Sequence, residues 1–203
     1  MHSVEHIISE LGIEEEILAI FPYGSRVYGT ASEFSDHDYI IVAKSSLLNS
    51  GSFKNNAVSN KDYTIQGTLY SKAGFIDAIN NYDLPAMECL SLPEDSVILK
   101  KWPFKVQKWD ETELVKKIIQ KASASRHIAD KQAKTGYRDR AKRGMYHALR
   151  ILMFGKQLKE HHKIIDFSES NDLYHKMMSI DDDDFDTRDF YQLFDDLSSE
   201  LKK

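Results

Sequence analysis

Tyr23-Gly24-Ser25-Arg26-Val27-Tyr28-Gly29, followed by Ser35-Asp36-His37-Asp38-Tyr39-Ile40-Ile41-Val42, is the stretch on which the reading of this chain turns. Gly24-Ser25 is followed by ten residues and then by Asp-x-Asp. On its N-terminal side Ile17-Leu18-Ala19-Ile20-Phe21 is a short continuous apolar run, the pattern of a buried strand. On its C-terminal side Tyr39-Ile40-Ile41-Val42 reads the same way, so a polar, glycine-bearing loop joins two strands.

The loop carries residue types suited to phosphate chemistry. Two carboxylates at i and i+2 entering a strand project to one face and can share a hard cation such as Mg2+ or Mn2+. Gly24 and Gly29 let backbone N–H groups come close to an anion, and the Ser25 hydroxyl adds a donor. Taken singly, Asp-x-Asp is usually a solvated strand end and Gly-Ser is usually a turn. The order strand, Gly-Ser loop, ten residues, Asp-x-Asp, strand is far more specific.

Outward from this core, Val4, Ile7, Ile8 and Leu11 predict a helix over residues 4–11, with Gly12 as its stop. Residues 45–60, rich in Ser, Asn and Gly, read as an exposed loop. A third strand is expected over 63–70, helices over 75–92 with a break near Pro85, and a short strand at Val97-Ile98-Leu99. After Trp102-Pro103 the pattern becomes helical. Asp110 and Glu113 have capping-box spacing, and Leu114, Val115, Ile118, Ile119 and Ala122 follow on one face. Further helices are expected over about 138–159, after Ser168, and from about Thr187. The fold class is therefore α+β: a small mixed β-sheet domain over 1–108, then an all-helical domain over 109–203.

The chain has 203 residues and no apolar run that approaches a membrane span. Residues 1–5 lack the pattern of a secretory signal, and the single Cys89 excludes an internal disulfide and a cysteine zinc cluster. A cytoplasmic protein without membrane attachment is the expectation. The net charge of −5 hides a segregation: residues 1–114 carry −8, residues 115–163 carry +11 and residues 164–203 carry −8. The basic block either attracts phosphate-bearing ligands or is neutralised by the acidic segments within the fold. Asp181–Asp184 reads as a solvated loop, because adjacent carboxylates repel.

The Gly-Ser, spacer, Asp-x-Asp signature resembles the DNA polymerase beta-like nucleotidyltransferase superfamily. The wording Gly24-Ser25-Arg26-Val27-Tyr28-Gly29 with Ser35-Asp36-His37-Asp38-Tyr39 looks like its small stand-alone branch. Weaker likeness extends through Leu69-Tyr70-Ser71, Phe75, Met87-Glu88-Cys89-Leu90 and residues 142–151. The resemblance implies transfer of a nucleoside monophosphate from a nucleoside triphosphate such as ATP to a hydroxyl acceptor, RNA among the candidates, with Mg2+ or Mn2+. It implies Asp36 and Asp38 as metal ligands and catalytic residues, and Gly24 and Ser25 as phosphate binders. It also implies a third carboxylate on the neighbouring strand. Counting back from Tyr70-Ser71 and Phe75 puts that position at Gln66, with Asp62 the nearest carboxylate that could replace it. Two other readings stay open: a protein-adenylylating transferase like the MNT antitoxins, with a protein partner, and a nucleotide or RNA binder without turnover, which Gln66 favours.

The remaining candidates are cationic. Arg26 is placed either to touch a phosphate or to brace the loop. Lys142, with Arg143, His147 and Arg150 at i, i+4 and i+7 of a helix, forms either a clamp for a triphosphate or RNA backbone, or a solvated face. His37 should point away from the aspartates, Cys89 reads as core, and Glu88 either orients the site or has a surface or capping role.

Overall fold

In a computed structural model the described residues are 2–44, the backbone of 53–59, and 64–203. The chain divides into two compact units, Met1–Trp109 and Asp110–Lys203. The first contains α1 (Val4–Leu11), β1 (Ile17–Tyr23), α2 (Ser25–Tyr28), β2 (His37–Ala43), β3 (Phe53–Ser59), β4 (Thr64–Ser71), α3 (Lys72–Asn80), α4 (Leu84–Ser91) and β5 (Leu99–Lys100). The second contains α5 (Glu111–Lys134), α6 (Arg138–His161), α7 (Asn171–Met178) and α8 (Tyr191–Lys202). The fold is α+β, a mixed sheet followed by helices. Among the described residues no helix is long and apolar enough to cross a membrane.

The sheet order is β3-β4-β2-β1-β5. β2 runs antiparallel to β1 and parallel to β4, and β3 and β5 pair antiparallel at the two edges. Strand alternation sends side chains to two cores. Ile40 and Val42 of β2 join Phe21, Tyr70, Phe75, Ile79, Ala86 and Cys89 on the side of α3 and α4. Tyr39, Ile41 and Ala43 join Ile7, Leu11, Ile65 and Leu69 on the side of α1. Phe75 is the hub of the first core, with ring centroids 5.7 Å from Phe21, 5.6 Å from Tyr70 and 5.0 Å from Phe104.

One local expectation is corrected. Residues 53–59, read as part of a loop, form β3, paired from Phe53↔Tyr70 to Ser59↔Thr64. The run Lys54-Asn55-Asn56 hid it, since an edge strand can be polar where a central one is apolar. The rest of that loop segment lies outside the described residues. The helical break expected near Pro85 is present between α3 and α4, and Pro85 itself stands at the start of α4, where its missing N–H is harmless. The break falls at Asn81–Asp83, where Tyr82 takes the left-handed conformation with φ 53°.

At the start of the second unit the Asp110 side chain accepts the Glu113 N–H at 3.0 Å. Glu113 does not reach back to complete the box but pairs with Lys116 and Lys117. α5 and α6 pack together, and at Gly155 of α6 the two helices come close. A Cβ there would lie under 3.0 Å from Cγ2 of Ile118, a fully buried β-branched side chain that cannot swing aside. Gly155→Ala should therefore destabilise the protein by about 1–3 kcal/mol, although alanine is the better helix former. Urea unfolding of the two proteins measures this, and equal or greater stability of the alanine variant would refute the packing argument.

Candidate active site

The Gly-Ser loop and the aspartates are brought together by the pairing of β1 with β2. Tyr23, the last residue of β1, is the register partner of Asp38. Gly24, the next residue, lies against the Asp38 carboxylate, so that a Cβ at Gly24 would fall under 3.0 Å from Oδ2. Its φ of 78° with ψ −158° is also a backbone state that side-chain-bearing residues avoid. Only glycine meets both demands. From Gly24 the chain turns into the four-residue α2, and the Gly24 carbonyl accepts the N–H groups of Val27 (2.9 Å) and Tyr28 (3.2 Å).

Two braces hold this loop. Arg26 is exposed, and its guanidinium donates to the carbonyls of Ser35 (2.6 Å) and Asp36 (3.1 Å), tying α2 to the strand that follows. Of the two roles left open for Arg26, bracing is the one the geometry displays, through carbonyls. Beneath the loop the Tyr28 hydroxyl donates to Glu88 Oε2 at 2.5 Å. Glu88 is 2% exposed on α4, so it is neither a surface residue nor a cap. The sequence holds no sign of this link across 60 positions. Cys89 beside it is core, its thiol pushed well above its ordinary range by burial and then by the Glu88 charge.

Alternation along β2 puts Asp38 on the same side as Ile40 and Val42, above the α3–α4 core. On β4, Gln66 is the register partner of Asp38 and has the same parity as Tyr70. Gln66 Nε2 donates to Asp36 Oδ2. Asp36, Asp38 and Gln66 thus converge on one side of the sheet. Burial, and next the Asp36 charge, raise the Asp38 pKa, while Arg26 lowers it. A divalent cation would relieve this like-charge strain, and two carboxylates suit a magnesium or manganese ion that keeps water or phosphate oxygens in its other positions. Among the described residues no group of three or more His, Cys, Asp or Glu is placed to hold a metal. Asp62 lies outside the described residues.

His37, of opposite parity, faces α1: its ring is 4.5 Å from that of His2, which is 4.9 Å from that of His6. The cationic candidates of α6 belong to the second unit. Lys142 is 5% exposed, paired with Asp182 at 2.6 Å and donating to the Ile180 carbonyl. Arg150 is 7% exposed, 3.0 Å from His147 Nδ1 and lying over the rings of Tyr146 and Phe154. His147 is held down to about 3 by burial and then by Arg150. Only Arg143 is exposed, and it pairs with Asp139 at 3.2 Å. The expected open basic stripe is therefore corrected: two of its cations are packing residues of the helical unit. Asp182, read as part of a merely solvated run, is the counter-ion of one of them.

Known proteins add little. No family model matches the chain, and no curated protein matches it. A solved structure of a nucleotidyltransferase-like protein from Exiguobacterium sibiricum 255-15 is similar at 12% identity and a TM-score of 0.39, over 98% of this chain and 73% of that one.

Two stability measurements test the site's construction. Tyr28→Phe removes the donor to a buried carboxylate and should cost about 1–3 kcal/mol; a loss below about 0.5 kcal/mol in chemical denaturation would show that the bond is not formed. Asp38 has a folded pKa above the ordinary aspartate value of 3.8, so its ionisation opposes folding. The penalty is absent below 3.8, grows as pH rises through the raised value and is complete above it. Without added metal, Asp38→Asn should thus gain stability over the wild type as pH rises across that window, and a gap independent of pH would contradict this.

Proposed function

We propose that the first unit is the active site of a nucleotidyltransferase of the polymerase beta-like kind, which transfers a nucleoside monophosphate from a nucleoside triphosphate to a hydroxyl. The observation that carries the reading is the convergence of Asp36 and Asp38 on one side of the sheet, with Gly24 pressed against the Asp38 carboxylate. Asp36 and Asp38 would hold Mg2+ or Mn2+. The ion's contribution is to neutralise charge on the triphosphate. The Gly24-Ser25 loop, braced by Arg26 and by Tyr28–Glu88, receives the phosphates with its backbone and with the Ser25 hydroxyl. In the reaction the acceptor oxygen forms a bond to the α-phosphorus, the bond to the α–β bridging oxygen breaks, and pyrophosphate leaves. The hydroxyl proton passes to solvent or to a base.

That base is the point at which a second reading gains support. Gln66 stands beside the aspartates and donates to Asp36, and an amide can neither accept the proton nor add negative charge. This favours a protein that binds the metal–nucleotide complex and transfers slowly or not at all. The partner in the first reading is RNA, a protein or a small molecule bearing a hydroxyl. Lys142 and Arg150 are left out of the proposed nucleotide site because each is buried among partners of its own unit.

Incubating the pure protein with each α-labelled triphosphate, Mg2+ or Mn2+, and RNA or protein acceptors separates the readings. Transfer of label is expected, and Asp36→Asn and Asp38→Asn should each lower it by at least about a hundred-fold. Gln66→Asp should raise it by about ten-fold or more if the missing base is the limit. Unchanged turnover in both asparagine variants would sink the site assignment. Metal-dependent nucleotide binding with no transfer, even in Gln66→Asp, would establish the binder.

A further inference from the structure

Phe34 is 87% exposed, the most exposed large hydrophobic side chain among the described residues. Its backbone is tightly fixed. Residues 32–35 form a turn in which Ser35 N–H donates to the Ser32 carbonyl at 3.2 Å and Ser32 N–H donates to Ser35 Oγ at 2.9 Å, with the two hydroxyls 3.3 Å apart. Arg26 then clasps the carbonyls of Ser35 and Asp36. One guanidinium thus ties together the Gly-Ser loop, the Phe34 turn and the first aspartate. The Cα atoms of Phe34 and Asp36, two residues apart, can be no more than about 7 Å from each other. A ring held out into water on a pinned turn, two residues from the first of the two aspartates, adds nothing to either core of this unit.

We propose that Phe34 is a stacking platform for the nucleobase of the bound nucleoside triphosphate, a role that rests on the function proposed above. The flanking Ser32, Glu33 and Ser35 are small or polar, so the ring offers its face without a competing apolar neighbour in the turn. Every nucleobase has a flat apolar face, and stacking on an aromatic ring recognises it without reading its edge. The base of the mononucleotide is a better fit than a base of an acceptor strand. Residues 1–109 carry 9 Lys/Arg against 14 Asp/Glu, a net of −5, and such a unit repels a polyanion more than it repels a cation-bound triphosphate. Phe34 would then favour purines, whose larger rings overlap it more fully.

The test compares binding of Mg·ATP, Mg·tripolyphosphate and a single-stranded oligonucleotide to the wild type, Phe34→Ala, Phe34→Leu and Phe34→Trp. Because the side chain is exposed, all four proteins should unfold at similar temperatures. The expected result is that Ala and Leu weaken ATP binding by about five-fold to about a hundred-fold, Trp preserves it, and tripolyphosphate binds all four equally. ATP affinity that changes less than two-fold in Phe34→Ala overturns the proposal and leaves the nucleotide site standing. Full retention by Leu overturns stacking in favour of simple apolar contact. Weakening of the oligonucleotide alone overturns the assignment to the triphosphate. A wild type that binds neither ATP nor tripolyphosphate overturns both this inference and the function beneath it.

Discussion

The contact between the Gly24 backbone and the Asp38 carboxylate is the constraint on which the rest of the first unit depends. It exists because Tyr23 and Asp38 are register partners across β1 and β2, so the residue after the strand must pass directly over the aspartate. A side chain at position 24 would collide with Oδ2 and would oppose the positive φ that turns the chain into α2. The contact therefore couples strand register, loop conformation and the placing of a charge. It also adds to the burial that, with the Asp36 charge, raises the Asp38 pKa, since covering a carboxylate with backbone removes water from it. Sites that bind cations commonly hold such charge under strain, at some cost to stability.

Around this contact the bracing is layered. Arg26 ties the loop to the entry of β2 from above, and Tyr28 ties it to α4 from below through a carboxylate buried in the core. Arg26 spends its donors on carbonyls and leaves the aspartates uncompensated by direct pairing. A salt bridge from Arg26 to either aspartate would have filled the place suited to a cation. The sheet adds the third member, Gln66, by simple parallel register.

The helical unit follows a different electrostatic logic. Its long basic block is answered in part from within: Asp182 pairs with Lys142, Asp195 with Arg126, Glu200 with Lys156 and Glu111 with Lys159. Arg126 and Arg150 also lie over aromatic rings, using the apolar faces of their guanidinium groups as packing surface. Charge segregation along a chain is thus no guarantee of charge segregation in space, because helices that pair antiparallel can bring distant segments of opposite sign into contact.

Local chemistry made much of the architecture legible. The apolar runs of β1 and β2, the i, i+3, i+4 pattern of α1 and the Asp110 cap are short-range properties, and each is written within a few residues. So is the sharing of one face by residues two apart, which placed Asp36 and Asp38 together and turned His37 to the other side. β3 escaped because an edge strand lacks the continuous apolar pattern that marks a central one, and Lys142 and Arg150 were read as surface because burial of a cation depends on partners remote in sequence. What only the tertiary structure decided is the setting of the site: Glu88 under Tyr28 and Gly24 against a carboxylate. Each joins residues across 14 to 60 positions. Such contacts are set by strand register and helix packing, which belong to the whole folded unit and to no single segment of it.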